Sequence, residues 1–439
     1  MGWAAARKLV LLLALWLLGA AEVGAQQRWS LADCLSFSRK NNLAIRQQDY
    51  ERGKYQLRAQ AARKKFLPVV DTRWRSASNW GFLIDPSTNI LDRRFNFGNQ
   101  FSLNANWDLL NGSASGHQSR MYSQQFKAAE YGYESAIRTA ALEITYLYLQ
   151  VLLSQEQVLD AGQRVEQLRS QQNLVSRQVA RGLLSKRDLL HLQSLLAAEG
   201  LTGVLATNNL EKATFTLMQT IGLQQDSLIR VDPVPVTDSL LAAGLAPEGL
   251  PAAENFPELK AAQARVEAAQ AAVLVVRNGK LPVLTLSSQL GSRTSSAQDG
   301  EFNTQLKENF NQQVGLNFTI PIFNNQVVQT NIDIAKLELE SAKVTYRQIQ
   351  EQLRQRIFSA SLEYKAAYRR YVAARSGVEA LKEEFRFAGK QLSLGLINAT
   401  ALGEVRSRFN AAQSELLQSR YDCLFKLKIL HHYQGAPLD

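Results

Sequence analysis

Few residues here could do covalent, redox or metal chemistry. The 439-residue chain holds two cysteines, Cys34 and Cys423, and four histidines. His431 and His432 are neighbours, and adjacent residues on a helix point apart rather than onto one ion. No Gly-rich phosphate loop, metal-spaced His/Cys cluster or nucleophile motif occurs. No catalytic residue, metal ligand or cofactor is therefore expected. Cys34 and Cys423 allow a disulfide outside the cytoplasm, and equally allow two small apolar residues in helices. What remains is the chemistry of charge and of amphipathic surfaces. Asp188 and Glu404 each follow a glycine turn, where a carboxylate interacts favourably with a helix N-terminus. The net charge is +11, with Lys and Arg spread along the chain rather than gathered in one block, which counts against a nucleic-acid partner. A composition of 46% hydrophobic and 20% charged residues excludes disorder, collagen and a disulfide scaffold.

The elements that position these surfaces are expected to begin after residue 25. Arg7 and Lys8 precede the apolar run Leu9 to Leu18, and the small residues Val23, Gly24 and Ala25 follow before Gln26. This is the order of a secretory signal peptide, residues 1–25, and the run is too short to span a bilayer as a helix. Leu31-Ala32-Asp33-Cys34 looks like a lipobox, but charged Arg28 and Asp33 stand between the apolar run and the cysteine and count against acylation. No later stretch of 18 residues is apolar, so no transmembrane helix is expected in the exported chain.

Proline spacing points to long helices. The chain has 10 prolines, none between Pro86 and Pro233 and none between Pro321 and Pro437. A proline in a helix interior costs roughly 3 kcal/mol. Segments also recur at one offset. Phe66-Leu67-Pro68-Val69 matches Lys280-Leu281-Pro282-Val283, and Arg181-Gly182-Leu183-Leu184 matches Leu394-Gly395-Leu396-Ile397, at offsets of 214 and 213. The chain reads as two copies of one unit, 26–223 and 255–439, joined by a proline-containing linker over 224–254. Each copy runs helix, strand, polar loop, strand, very long helix, glycine turn, helix. Long helices are expected over about 113–180 and 326–393, with shorter ones over 40–66 and 186–222. A heptad of Ile144, Val151, Val158 and Val165, with Leu147, Ser154, Ala161 and Leu168 three residues on, is a coiled-coil pattern.

Strands are expected over about 67–78, 100–110, 281–291 and 312–323. From Phe101 to Leu109 every odd residue is apolar and every even one polar, except that Ala105 is small. Val314, Leu316, Phe318, Ile320 and Ile322 alternate in the same way in the second copy. Each run is near the roughly 9–11 residues of a tilted membrane strand. Trp74, Trp80 and Trp107 suit an aromatic girdle at the lipid interface. An ordinary half-buried sheet would alternate equally. Four strands cannot close a barrel with an open lumen, so a membrane reading requires several chains.

The order of elements resembles that of TolC-type outer-membrane efflux proteins over essentially the whole exported chain. The resemblance is carried by Trp29-Ser30-Leu31-Ala32-Asp33-Cys34-Leu35, Phe256-Pro257-Glu258-Leu259-Lys260-Ala261-Ala262 and Gly279-Lys280-Leu281-Pro282. It is also carried by Leu316-Asn317-Phe318-Thr319-Ile320-Pro321-Ile322-Phe323 and Leu394-Gly395-Leu396-Ile397-Asn398-Ala399-Thr400. The resemblance implies an α+β membrane protein with two tandem structural repeats and four strands per chain. It further implies a homotrimer whose 12-stranded transmembrane β-barrel continues into a long periplasmic α-helical barrel. Such a protein resides in the outer membrane of a Gram-negative bacterium and reaches into the periplasm. It serves as the passive channel of a tripartite efflux or type I secretion system, docked on a periplasmic adaptor and an inner-membrane pump.

The same resemblance places adaptor docking at the glycine tips, on Arg181, Gly182, Leu183, Ser185, Leu394, Gly395, Leu396 and Asn398. Asp188 and Glu404 would ring the periplasmic aperture, although Ala401 and Ile397 occupy positions where some relatives carry an acid and a basic latch. Ser102, Asn104, Asn106, Asp108, Asn317 and Thr319 would line the barrel lumen, and loops near 81–99 and 292–311 would face outside. Four histidines and few methionines count against a copper-specific exporter, and the cargo is otherwise not legible. The competing architecture is a periplasmic coiled-coil adaptor or structural rod, which need not partition with the outer membrane.

Overall fold

The computed structural model describes residues 28–84, 91–111, 113–182, 185–224, 229–245, 253–296, 298, 300–394, 396–397 and 399–435. The expected signal peptide, residues 85–90 of the loop expected near 81–99, and Leu183, Gly395 and Asn398 lie outside the described residues. In chain order the first copy holds β1 (Arg28–Trp29), α1 (Leu31–Asn41), α2 (Leu43–Arg63), β2 (Val69–Ile84), β3 (Leu91–Leu110), α3 (Ala114–Ala180) and α4 (Lys186–Ile221). Then come β4 (Arg230–Val231), α5 (Asp238–Ala242), α6 (Pro257–Arg277), β5 (Val283–Ser295), α7 (Phe302–Glu308), β6 (Asn311–Thr319), α8 (Val327–Ser393) and α9 (Ala399–Gln434).

The repeat is visible in these lengths. Helices α3 and α8 each have 67 residues, and α4 and α9 each have 36. A 3-10 turn precedes each first strand, over Lys64–Phe66 and Asn278–Lys280, closed by Leu67 N–H to Lys64 O and Leu281 N–H to Asn278 O at 3.0 Å each. Near these turns Lys65 Nζ donates to Gln118 Oε1 at 2.7 Å, and in the second copy Lys280 Nζ, one position on from the equivalent of Lys65, donates to Gln329 Oε1 at 2.6 Å. Left-handed residues turn the chain into each long helix: Ser113 at φ 69° and Gln326 at φ 61°.

The chain divides into two compact units. One comprises Asp49–Tyr133 and Glu254–Glu351 and carries a four-stranded antiparallel sheet of order β2-β3-β5-β6. The strands outrun their expected ends. β2 continues to Ile84 and β3 starts at Leu91, so most of the loop expected over 81–99 is sheet. Trp80 stacks obliquely on its cross-strand partner Phe95 at 5.2 Å, an aromatic pairing that stabilises this extension. The strand expected to reach residue 323 stops at Thr319, because Pro321 has no N–H to give a ladder. Within the loop expected over 292–311, Glu301 begins a short helix, α7, which Gln305 fastens by donating to Gln298 O at 2.8 Å and Gly300 O at 3.0 Å.

The second unit comprises Met1–Gln48, Glu134–Ala253 and Gln352–Asp439. Its core gathers Ile144, Tyr148 and Val151 of α3, Leu217 and Ile221 of α4, Tyr364 of α8, and Leu424 and Leu427 of α9, all buried. Cys34 and Cys423 lie in this core as free thiols, so the two-apolar-residue reading holds and no disulfide forms. Burial pushes the Cys34 thiol up to about 12 and the Cys423 thiol to about 11.

The expected linker carries structure of its own. β4 pairs in parallel with β1, Leu241 of α5 is fully buried, and Tyr148 Oη donates to Asp232 O at 2.7 Å. The helix expected over 40–66 breaks at Asn42, whose side chain accepts from Ala44 N–H and Ile45 N–H at 2.9 and 3.1 Å and so caps α2. Its amide also donates to Thr220 O at 2.7 Å.

Two helices contradict the expectation that no 18-residue stretch is apolar enough to cross a bilayer. Windows of α3 and α4 reach mean hydropathy 1.2 and 1.3. The α4 window is only 11% buried. Heptad packing explains it: a helix that must face other helices concentrates Ala, Leu and Val on long stretches.

Candidate functional site

The sheet register sorts the strands into two faces. Residues directly opposite across an antiparallel pair project to the same side. Trp74 faces Phe101, Trp107 faces Leu286, Leu103 faces Leu290, and Leu284 faces Phe318. This apolar face is exposed: Trp74 is 69% accessible and Trp80 77%. Trp74 stacks on Phe101 at 6.1 Å with rings 4° from parallel, and Trp107 Nε1 donates to Phe66 O at 2.7 Å at the strand base. All three tryptophans singled out in the sequence therefore share one side.

The opposite face is polar. Asn104 lies between Asp71 and Gln289, Asn106 beside Ser287, and Asp108 beside Thr285, which in turn pairs with Asn317. Ser102 and Thr319 belong to the same side. The six predicted polar residues are thus brought together, linked in places by hydrogen bonds. Asn104 Nδ2 donates to Asp71 Oδ1 at 3.0 Å, and Thr285 Oγ1 to Asp108 Oδ1 at 3.2 Å. The alternation of β2 sets Asp71 on the side opposite Trp74, on this face, whereas sequence reading missed Gln289, Thr285 and Ser287. The weaker alternation of β5 was the signal available for them.

Both outer edges of this sheet are unpaired in the single chain. β2 and β6 each have one neighbour, leaving edges of 16 and 9 residues.

The two helix tips lie in the other unit. α3 ends at Ala180, and Gly182 takes φ 72°, a left-handed exit that an L side chain resists. Arg181 and Gly182 are exposed. Ser185 then caps α4 in a reciprocal box: its Oγ accepts from Asp188 N–H at 3.3 Å, and its own N–H donates to Asp188 Oδ2 at 3.3 Å. The Asp188 carboxylate is thereby committed to the helix end. In the second copy Leu396 N–H reaches Gln391 O at 2.9 Å, a wrap that closes α8. Leu394 and Leu396 are 73% and 69% exposed. Glu404, in the second turn of α9, is exposed and has no hydrogen-bond partner among the described residues.

The starts of α4 and α9 run side by side. A Cβ on Gly403 would sit 3.4 Å from His191 Nε2, a buried nitrogen without a partner among the described residues. Arg406 Nη2 donates to Gln171 Oε1 at 2.6 Å across to α3, and Asn410 Nδ2 to Glu199 Oε1 at 3.4 Å across to α4. Burial lowers the Arg406 pKa while Glu199 counters it. Sequence reading did not find this polar seam, because its members are over 200 residues apart in the chain.

Comparison with known proteins follows the same architecture. The family profile described as outer membrane efflux protein matches residues 35–223 and 251–435. The pyoverdine export outer membrane protein OpmQ of Pseudomonas aeruginosa is 30% identical over 228 residues, covering 51% of this chain and 46% of that protein. The chain spans about half the length of the curated relatives it matches. The Campylobacter jejuni CmeC outer membrane channel superposes with a TM-score of 0.76 at 18% identity, over 92% of this chain and 85% of that one. The outer membrane protein VceC of Vibrio cholerae gives a TM-score of 0.76 at 13% identity, over 93% and 97%.

Proposed function

The chain belongs to the outer membrane efflux protein family, and on that premise we propose that it is the outer-membrane channel of a tripartite export system. Its place is the outer membrane of a Gram-negative bacterium, with the helices reaching into the periplasm. The observation that carries the reading is the sheet: one exposed apolar face with three tryptophans, one polar face, and two open edges. Open strand edges are not tolerated in lipid. The β6 edge of one chain must therefore meet the β2 edge of the next, and three copies close a twelve-stranded barrel with the polar face inside. A further surface needs the same partner. Leu201, Val204, Leu205 and Phe215 of α4 are all more than half exposed, which fits burial against a second copy.

The tips are the proposed docking surface. Arg181, Gly182, Leu183, Ser185, Leu394, Gly395, Leu396 and Asn398 would receive a periplasmic adaptor that links to an inner-membrane pump. Exposed Leu394 and Leu396 supply apolar anchors beside the closed end of α8. Of the two aperture acids, Glu404 is the better placed to face ions, since Asp188 is held by its cap. The test has two parts. Protein extracted from the outer-membrane fraction is expected to run as a trimer and to give discrete conductance steps in planar bilayers. A helical monomer absent from that fraction would refute the channel. Leu396→Asp is expected to abolish export while trimers persist, and normal export by that variant would remove the docking role.

A further inference from the structure

The polar face is layered by charge. Near the strand bases lie the acids Asp71 and Asp108. Toward the β2–β3 hairpin the charges turn positive. Arg73 stands opposite Ser102, and Arg75 stands opposite Gln100, which is itself opposite Arg293 of β5. Arg75, Gln100 and Arg293 therefore occupy one row across three adjacent strands. Neighbouring strands are about 4.8 Å apart, so the two arginines start roughly 10 Å from each other on one side of the sheet. Their flexible side chains can converge over the amide of Gln100. The hollow they border has a volume of about 600 Å³ and is also lined by Asn79, Asn96 and Ser295.

The compensation of these charges is uneven. Arg73 has an acid, with Nη2 at 3.9 Å from Asp71 Oδ1. Arg75 and Arg293 form no ion pair among the described residues, and both are exposed. Asp71 lies four residues back along β2 from Arg75, about 14 Å at 3.4 Å per residue. Asp108 is farther still from Arg293, since its partner Thr285 lies eight residues back along β5. Both separations exceed the Debye length of about 8 Å at physiological salt, so neither acid neutralises the row. Like charges in one cross-strand row oppose each other. A row that keeps two guanidiniums, a side-chain amide donor and no carboxylate is built to receive an anion between them.

We propose that the row Arg75–Gln100–Arg293 is an anion-binding site, and that three copies of it form a basic ring selecting carboxylate- or phosphate-bearing cargo in the outer part of the barrel. The ring rests on the reading above that this face lines a channel, whereas anion binding by the row does not require an open pore. It is separate from the aperture acids, which belong to the other unit. The geometry assigns the two arginines the part of a paired fork: each guanidinium presents its donors to one side of a multivalent oxyanion, and Gln100 donates from below.

Citrate titrated calorimetrically into the purified full-length protein at low salt tests the site, with bilayer conductance measured on the same samples. Wild-type protein is expected to bind citrate, and Arg75→Gln/Arg293→Gln to bind it at least about tenfold more weakly, the effect of two lost charge-assisted contacts. Arg75→Lys/Arg293→Lys keeps the charge but loses the planar fork, and is expected to bind citrate more weakly than wild type and more tightly than the glutamine variant. Conductance steps in all three proteins show that the variants still assemble. The expected signature in the conducting samples is a citrate block that weakens in the glutamine variant and persists in the lysine variant. Citrate affinity unchanged in the glutamine variant overturns the site while leaving the channel standing. Citrate binding without conductance in any sample overturns the channel reading and the ring, and leaves the row as a binding site only.

Discussion

Two glycines at the ends of α3 and α4 make a matched experiment. Gly182 and Gly222 both adopt left-handed backbone, at φ 72° and φ 82°. An alanine at either pays the left-handed penalty of about 1–2 kcal/mol. Their surroundings differ. A Cβ on Gly182 meets nothing within 4 Å, whereas one on Gly222 would lie 2.5 Å from the Asn41 carbonyl oxygen and 2.8 Å from its carbon. Backbone atoms must then shift, adding about 1–3 kcal/mol of overpacking. Gly182→Ala should therefore destabilise by about 1–2 kcal/mol, and Gly222→Ala by about 2–5 kcal/mol, the sum of both costs. Urea titration read by protease susceptibility separates them. At a slope near 2 kcal/mol/M, a gap of about 2 kcal/mol moves the midpoint about 1 M. Replacing Asn41 with glycine should not rescue Gly222→Ala, because the contact at 2.5 Å is to backbone. Equal midpoints for the two alanine variants, or rescue by Asn41→Gly, would refute the close-approach argument.

Three other outcomes follow from groups already described. Neither Cys34 nor Cys423 should react with iodoacetamide at pH 8 until the chain is unfolded, since burial raises both thiols to about 12 and about 11. The imidazole of His432 is held down to about 4, first by burial and then by Arg138. It is neutral in the folded chain while the unfolded chain takes up a proton below about 6.5, so stability is complete above that pH and falls as pH drops toward 4. The slope is at most about 1.36 kcal/mol per pH unit, roughly half that after solvent screening of a partly exposed ring. His432→Gln should flatten that part of an unfolding-versus-pH curve, and an unchanged curve would remove His432 as the cause. Ser185→Ala removes one half of the capping box and should cost about 1 kcal/mol. Amide exchange in the first turn of α4 is expected to speed about fivefold, and unaltered exchange would show that the box does not hold the turn.

Regular periodicity was the legible part of this chain. The two 67-residue helices lie within a residue of where proline-free spans and the heptad placed them. Alternation sorted Trp74, Trp107, Ser102 and Asn104 onto their sides, because period two fixes the face without any knowledge of the partner strand. Strand ends were illegible where alternation lapses, as in Asn79-Trp80-Gly81-Phe82-Leu83-Ile84. There pairing with β3 rather than local pattern decides. Pairings over long sequence distance left no trace either. The β1–β4 pair and the Tyr148–Asp232 hydrogen bond turn a proline-rich linker into part of a core. Charge layering on the polar face needed the register, since Arg75 and Arg293 become neighbours in one row only through Gln100.

The equal lengths of the two halves restrict how such a protein can change. Helices of 67 and 67 residues, and of 36 and 36, must keep their seams facing the same neighbours. Deleting one residue turns everything beyond it by about 100° and shortens the helix by about 1.5 Å. Deleting a whole heptad restores the facing but leaves one half shorter than its twin by about 10 Å. Length can therefore drift only by paired heptads, the same number from α3 and α8 together. Families of this architecture should differ in stave length by multiples of seven that appear twice in each gene, and a single unmatched indel within a stave marks either an inactive copy or a site where the seam has already been interrupted.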